Sequence, residues 1–555
     1  MRLKFRQFSG EFPRLSPFVL PDSGATDATN CRLEAGLIQP LYGMTAVATL
    51  ALTGQNIHAI HLWSVGGSDY WLRFKDQVSV IRSPIADDAY SRIYWSGDTR
   101  MGGSLLYSYA GAVNAVTGGG GTEYPNNYYK LGIPAPTVKP TTALVSGVVD
   151  GVSTEARAYV YTYVGKMGEE SAPSKPSAIL ICPSGSSTVN VSALTVDVSA
   201  STSREIVSFR IYRTAVGSSG NAEYLFVDEI LVTDELPYVD TKLTDTLSDV
   251  MPSTYWTPPR DNMINLGLTA HGVAYGSLGK IICLSEPFIP YAWPISYEMT
   301  SDTDVVAIGH YDSYLIVGTQ GRPIMITGID PANMSQQELP IIEACVSARS
   351  MVSMGAYAIY ASPNGLVMAT GGGARLVTEG IITNREWALM TPSSIHAYQH
   401  RGKYLFFWYT DFNNKGGVIF DPRNPDAGFI RINQHYVAGY RDVPNDTLYL
   451  IDSSKNLVKL DSASGSPLSY SWKSKSVSLD RPACMTVARV LADSYANLTL
   501  SVYANGSLHH TQAITSALPV RMPRNGRARV WQVNVAGTDP IREIAIAESV
   551  TELQA

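Results

Sequence analysis

Apolar and polar positions alternate by twos along most of this 555-residue chain, in short runs cut by glycine, proline and asparagine. Ile-His-Ala-Ile-His-Leu-Trp at 57–63, Asp-Tyr-Trp-Leu-Arg-Phe at 69–74, Val-Ser-Val-Ile at 78–81 and Arg-Ile-Tyr-Trp at 92–95 read as antiparallel strands. Side chains on a strand point to opposite faces in turn, so this alternation marks half-buried sheets. No long segment repeats its apolar positions every 3.6 residues, and the best helical candidate is a short stretch over 383–389.

Between 256 and 475 the strands recur in units of an apolar run, a turn and a second run. Instances are Ser-Tyr-Leu-Ile-Val-Gly-Thr at 313–319, Tyr-Ala-Ile-Tyr-Ala at 357–361 before Asn364-Gly365, Lys-Tyr-Leu-Phe-Phe-Trp-Tyr at 403–409 and Thr-Leu-Tyr-Leu-Ile at 447–451. The recurrence of about 45 residues suits four-stranded propeller blades. Residues 476–555 form a closing β unit, with Leu-Thr-Leu-Ser-Val-Tyr at 498–503 running into the hairpin signal Asn505-Gly506. Residues 527–535 and 541–546 alternate again.

The stretch 134–255 stands apart. Pro-Ala-Pro-Thr-Val-Lys-Pro at 134–140 is a stiff linker. Beyond it come Ala-Arg-Ala-Tyr-Val-Tyr-Thr-Tyr-Val at 156–164, Glu-Glu-Ser-Ala-Pro-Ser-Lys-Pro at 169–176, Phe-Arg-Ile-Tyr-Arg-Thr at 209–214 and Tyr-Leu-Phe-Val at 224–227. This order is similar to a fibronectin type III module and implies an inserted β-sandwich. The expected fold is all-β in four parts: an extended N-terminal segment with the first propeller strands over 1–133, the sandwich over 134–255, propeller-like blades over 256–475 and the C-terminal β unit over 476–555.

Composition fits large β units and changes the view of the surface. There are 32 Tyr, 46 Gly and 32 Pro, and only 16% of residues are charged. A surface so poor in charge is expected either where subunits bury it or where Ser, Thr and Asn cover it. A net charge of −6 argues against gripping nucleic acid, which needs a basic face. The opening Met-Arg-Leu-Lys-Phe-Arg-Gln-Phe lacks the apolar core of a signal peptide, and no apolar run reaches membrane-spanning length. Cys31, Cys182, Cys283, Cys345 and Cys484 are widely spaced and form no Cys-x-x-Cys. They read as small hydrophobes of a protein made in a reducing cytoplasm.

Candidate chemistry is sparse. Asp-Phe-Asn-Asn-Lys-Gly at 411–416 faintly resembles a calcium loop, but Lys415 stands where an oxygen ligand is needed, so a hairpin turn is expected. His58 and His61 fall on opposite strand faces, whereas His396 and His400 can share one. No carboxylate or cysteine at useful spacing completes a metal set beside either pair. His509-His510 reads as exposed. Gly118–Gly121 reads as a flexible link, and Gly276-Ser-Leu-Gly-Lys280 lacks the spacing of a phosphate loop. Asp87-Asp88 and Asp302 with Asp304 are carboxylate pairs too common to assign. No catalytic, cofactor or metal residues are therefore assigned, and no enzyme activity is expected.

The most distinctive phrase is Gly-Lys-Ile-Ile-Cys-Leu-Ser-Glu-Pro-Phe-Ile-Pro-Tyr-Ala-Trp-Pro at 279–294. Its flanks are Tyr-Trp-Thr-Pro-Pro-Arg at 255–260, Ala-Cys-Val-Ser-Ala-Arg-Ser at 344–350 and Tyr-Ala-Ser-Pro-Asn-Gly-Leu at 360–366. Together they resemble the tail tubular or nozzle proteins of short-tailed bacteriophages, in which a propeller-like body carries an inserted fibronectin-like module. The resemblance implies a non-enzymatic virion protein of the tail, made in the host cytoplasm. It implies a self-assembled ring, a homohexamer, and contacts with portal or adaptor proteins and with tail fibres or spikes. DNA would be cargo passing through the lumen. The lumen is then expected to be neutral or acidic, with Arg521, Arg524, Arg527 and Arg529 at subunit seams or on the outer wall. The alternative from a different class is a tail protein that binds or hydrolyses host glycans, with exposed aromatic rings stacking on sugar.

Overall fold

The computed structural model of the chain describes residues 1–34, 36–50, 56–99, 103–110, 128–147, 154–183, 187–197, 204–216, 222–247, 249–462, 464–524 and 526–554. Nearly all regular structure is β. The link at 118–121 lies outside the described residues.

Among the described residues seven groups of antiparallel strands succeed one another around a ring, six of them separate small sheets and the sixth in order part of a ten-stranded sheet. Blade 1 is the hairpin Ala59–Val65 and Ser68–Phe74. Blade 2 holds Ser79–Arg82, Ile93–Ser96, Leu106–Ser108 and Tyr129–Lys130. Blade 3 begins at Ile264–Leu268, blade 4 at Val305–Tyr311, blade 5 at Val352–Ser353, blade 6 at His396–His400 and blade 7 at Ala438–Asp442. The first strands of blades 2 to 7 touch their neighbours in order, and that of blade 7 touches that of blade 1. Between blades 1 and 2, Arg82 Nη2 donates to the Leu62 carbonyl at 3.2 Å and Trp63 Nε1 to the Ser91 carbonyl at 3.1 Å. First strands that meet around a closed circle make the body a β-propeller.

Local sequence explains the blade hairpins. Arg401 and Gly402 join His396–His400 to Lys403–Tyr409 with φ of 48° and 75°, the mirror-image turn that matches strand twist. Gly66 and Gly67 do the same in blade 1 at 60° and 76°. The almost unbroken apolar run of Lys403–Tyr409 has a reason as well. Tyr404, Phe406 and Trp408 enter one core, shared with blade 5, while Leu405 and Phe407 enter another, shared with blade 7 and the C-terminal unit. A strand buried on both faces loses its polar alternation. The helix Asn384–Leu389 connects blades 5 and 6. Thr383 and Glu386 close a capping box at its start, and the buried Trp387 donates from Nε1 to the Ser362 carbonyl at 2.8 Å.

The residues grouped by sequence as 1–133 divide three ways. Thr45–Thr49 pairs with Asn456–Lys459 and supplies the outer strand of blade 7, so an early segment clasps the last blade. Residues 59–130 supply blades 1 and 2. The segment before Thr45 joins the C-terminal unit: Arg2–Phe5 pairs with Ile541–Ala547, and Ala25–Thr29 with Tyr470–Ser474. The physical reason is that strand edges are completed by backbone hydrogen bonds, which carry no side-chain signature in the sequence. Tyr470–Ser474 also pairs with Ala528–Gly537, which places it in the closing unit and not with the blades. Trp472 on that strand is fully buried, with Phe5 and Phe8 edge-on at 6.3 and 4.9 Å between ring centres and its Nε1 donating to the Ser9 carbonyl. A parallel bridge from Thr29 to Arg431 makes the sheet continuous with blade 6.

Between blades 2 and 3 the chain leaves the ring and builds a two-sheet sandwich. One sheet orders Thr141–Ser146, Thr188–Ser192 and Tyr238–Asp240, and the other orders Tyr159–Gly165, Ile206–Val216 and Ala222–Leu231. Tyr159, Tyr161, Tyr163, Val189, Val191, Phe209, Ile211 and Val227 fill its core. Met167 reaches back into a propeller core with Tyr94, Tyr107 and Leu131, so the seam between the two bodies is packed.

Among the described residues no helix is long and apolar enough to cross a membrane.

Candidate functional site

Where blades 1, 5, 6 and 7 begin, the structure opens a cavity of about 410 Å³. Four consecutive blades supply its wall. Ile57 and His58 precede blade 1, Arg349 precedes blade 5, Ser394 and His396 open blade 6, and His435 and Val437 lead into blade 7. The turn after Lys403–Tyr409 adds Tyr409 and Lys415, and the turn after Thr447–Ile451 adds Asp452, Ser453 and Lys455.

Arg349 stands in a short 3₁₀ turn, Ala348–Ser350, and its Nη2 donates to the Val437 carbonyl at 2.6 Å. This contact aims the guanidinium across the mouth. His396 is buried, and its Nε2 lies 2.9 Å from the Tyr436 carbonyl. A carbonyl can only accept, so Nε2 carries the proton. The His435 ring stands edge-on to that of His396 at 6.1 Å and leans on Tyr409 at 5.8 Å. His435 Nε2 is buried and meets no hydrogen-bond partner among the described residues. Lys415 is exposed, with Nζ 4.6 Å over the Phe412 ring.

Burial and the cations dominate the electrostatics of the mouth. Burial, then Lys415 and Arg349, push the His435 imidazole down to about 4. Burial and Arg349 hold His396 well below the usual histidine range, and they lower His58 in the same order. All three imidazoles are therefore neutral at pH 7. The single carboxylate, Asp452, is engaged in its own turn. Its Oδ1 accepts from the Ser454 and Asn456 amides at 2.8 and 2.9 Å, and Oδ2 from the Asn456 side chain at 3.0 Å. Ser394 Oγ donates to the Thr391 carbonyl and accepts from the Tyr409 amide, which leaves it no proton-accepting partner of the kind a nucleophile needs. The arrangement can bind through cations and imidazoles, and no nucleophile and base face each other in it.

The other sequence candidates fall elsewhere. His61 is buried on its strand, edge-on to Tyr440 at 5.0 Å, and burial pushes it down to about 3. His400 is buried 4.0 Å from Asp461. His509 Nε2 lies 3.2 Å from the Pro523 carbonyl and His510 Nε2 3.1 Å from Gln512. The 411–416 loop is a hairpin, with Asp411 Oδ1 accepting from the Asn413 and Asn414 amides. Asp88 pairs with Arg92 at 2.9 Å. Asp302 and Asp304 lie on the loop between blades 3 and 4, both exposed. Gly276 is inside a strand of blade 3. Among the described residues no group of three or more histidine, cysteine or acidic side chains is placed to hold a metal ion. The five cysteines are free thiols, four of them buried.

Sequence reasoning noticed His58, His396 and Lys415 separately and missed Arg349 and His435 as partners. The available signal was positional: each stands next to the start or the second turn of a blade, and a propeller brings such positions together.

The phrase at 279–294 runs from the third strand of blade 3, Ile281–Leu284, through an elbow towards its fourth, Met299–Thr300. A short bridge joins Glu286 and Ile289, Phe288 takes φ 59°, and Trp293 Nε1 donates to the Pro290 carbonyl at 2.7 Å.

No protein-family model and no curated protein matches this chain. Among solved structures it is similar to AztD from Citrobacter koseri, at 11% identity and a TM-score of 0.26 over 69% of this chain and 98% of that one. It is also similar to an exo-β-1,3-galactanase from Phanerochaete chrysosporium solved with β-1,3-galactotriose, at 10% identity and a TM-score of 0.18 over 91% and 100%. Likeness at this level carries no functional argument.

Proposed function

We propose that this chain is a structural subunit of a short-tailed bacteriophage tail, assembling with copies of itself into a nozzle-like ring through which DNA leaves the virion. The observation that carries the reading is the 279–294 phrase with its flanks, in a chain whose propeller is interrupted by a sandwich. Two surface features support assembly. On the sandwich, Val145 in Thr141–Ser146, Ile181 in the neighbouring strand Leu180–Pro183 and Ile179 just before that strand are 56, 59 and 71% exposed. Scattered apolar side chains on a surface are ordinary, but several on adjoining segments favour a protein contact. On the C-terminal unit Arg521, Arg524, Arg527 and Arg529 are all exposed, and none has an ion pair among the described residues. A head-to-tail ring joins two different patches on each subunit, and such a pair of unlike surfaces suits it.

The test is the assembly state. Light scattering and negative-stain images of the purified protein are expected to give closed rings, a hexamer by the resemblance, and Ile181→Asp is expected to dissociate them. A monomer at every concentration overturns the reading. Short duplex DNA is expected to bind the ring weakly even at low salt, because a lumen that lets DNA slide should not grip phosphate. Tight duplex binding would contradict that part.

A further inference from the structure

We propose that the cavity at the propeller mouth is a binding site for a small oxyanion, a phosphoryl or carboxylate group carried by a low-molecular-weight ligand. The inference stands on the geometry of the mouth and does not depend on the tail reading.

Three observations point the same way. First, the charges do not balance. Arg349 and Lys415 face one carboxylate among the described lining residues, Asp452, whose oxygens are occupied by the amides and side chain of its own turn. Neither Arg349 nor Lys415 forms an ion pair among the described residues. Elsewhere the fold places carboxylates against its withdrawn arginines: Arg213 meets Asp240, and Arg92 meets Asp88. Second, His435 lines the cavity, and its buried Nε2 has no hydrogen-bond partner among the described residues. A buried polar atom without a partner costs free energy that a ligand recovers by bonding to it. Third, the donors converge from separate blades. Arg349 is aimed by the Val437 carbonyl, and His396 is fixed by the Tyr436 carbonyl, so the site is largely preformed. A guanidinium, an ammonium and the neutral His435 imidazole, whose tautomer can place its proton on Nε2, match an acceptor-only group with one or two negative charges, while His396 keeps its one proton on the Tyr436 carbonyl.

The cavity of about 410 Å³ is larger than a bare ion and suits the body of a sugar phosphate or an organic acid. Tyr409, Val437 and Ile57 offer flat or apolar contact for that body. The ends of four neighbouring blades line the recess, so its donors come from separate elements of the fold.

Isothermal titration of the full chain with inorganic phosphate and with succinate, at matched ionic strength, tests the proposal. Saturable binding at one site per chain is expected for at least one probe, and the tighter of the two assigns the phosphoryl or carboxylate source. Arg349→Met and Lys415→Gln are each expected to weaken it by about tenfold, the loss of one charge-assisted bond. Arg349→Lys should restore part of the affinity. Circular dichroism and thermal melts confirm that each variant is folded. Lys415 is exposed, so Lys415→Gln keeps the test valid if Arg349→Met does not fold. No saturable binding of either probe overturns the site, and so does binding that Lys415→Gln leaves unchanged. Binding of duplex DNA at this recess, with free phosphate inert, also overturns it.

Discussion

Arg213 inside the inserted sandwich and Arg349 at the propeller mouth are both withdrawn from solvent, and their surroundings treat them in opposite ways. Arg213 is fully buried. Its guanidinium donates to the Asp240 carboxylate, to the Lys242 carbonyl at 2.8 Å and to Thr244 Oγ1 at 3.1 Å, and Tyr159 donates to the same carboxylate at 2.7 Å. Arg213 and Tyr159 come from one sheet and Asp240 from the other, so the network ties the two layers together. Arg349 has the Val437 carbonyl, the Tyr398 hydroxyl and an open cavity, with no ion pair among the described residues. A buried charge with a partner is structural, and removing the partner is costly. A half-buried charge without one keeps free capacity for a ligand. The sandwich has spent its charges on its own fold, and the mouth has not.

The comparison breaks first at Asp240. Asp240→Ala leaves Arg213 charged and buried, and a loss of about 3–5 kcal/mol in urea denaturation is expected. The double variant Arg213→Met, Asp240→Leu should recover most of that. A cost for Asp240→Ala no larger than that of Arg349→Met would end the contrast.

The seam between the two bodies gives the next effect, and it depends on pH. Glu169 is buried between blade 2 and the sandwich, 3.7 Å from Arg92 Nη1. Burial pushes its carboxyl from 4.5 up to about 7, with Arg92 and Arg204 pulling the other way. Between those values the folded protein holds a proton that the unfolded chain has released. Stability therefore falls as pH rises through this window, by up to about 3 kcal/mol. Glu169→Gln should lose that slope and be more stable than the parent at pH 8. Parallel stability curves for the two proteins from pH 5 to 8 would refute the assignment.

Smaller effects sharpen the other side. Arg349→Met removes hydrogen bonds to the Val437 carbonyl and the Tyr398 hydroxyl, with a half-buried charge that has no ion pair among the described residues, so about 1–2 kcal/mol is expected in the same assay. Lys415→Gln should change stability by less than about 0.5 kcal/mol, because the side chain is exposed and carries no ion pair among the described residues. A cost above 2 kcal/mol for Lys415→Gln would mean that the lysine serves the fold.

What the sequence determined by itself is local. Asn505-Gly506 turns the hairpin Leu498–Ala504 and Ser507–Ala513 with φ of 49° and 84°, as an Asn-Gly pair between alternating runs requires. The short helix follows from Thr383 and Glu386 three residues apart, and the blade repeat from runs such as Lys403–Tyr409. Each signal is carried by neighbours in the chain, where backbone preference and face alternation act. Tertiary structure alone decided that Thr45–Thr49 clasps blade 7 and that Arg2–Phe5 completes a sheet with Ile541–Ala547. Those pairings are made by amides and carbonyls that every residue owns, between segments hundreds of positions apart, so no side-chain pattern announces them. The mouth follows the same logic. His58, Arg349, His396, Lys415 and His435 are unremarkable one by one, and closing the ring sets them around one cavity.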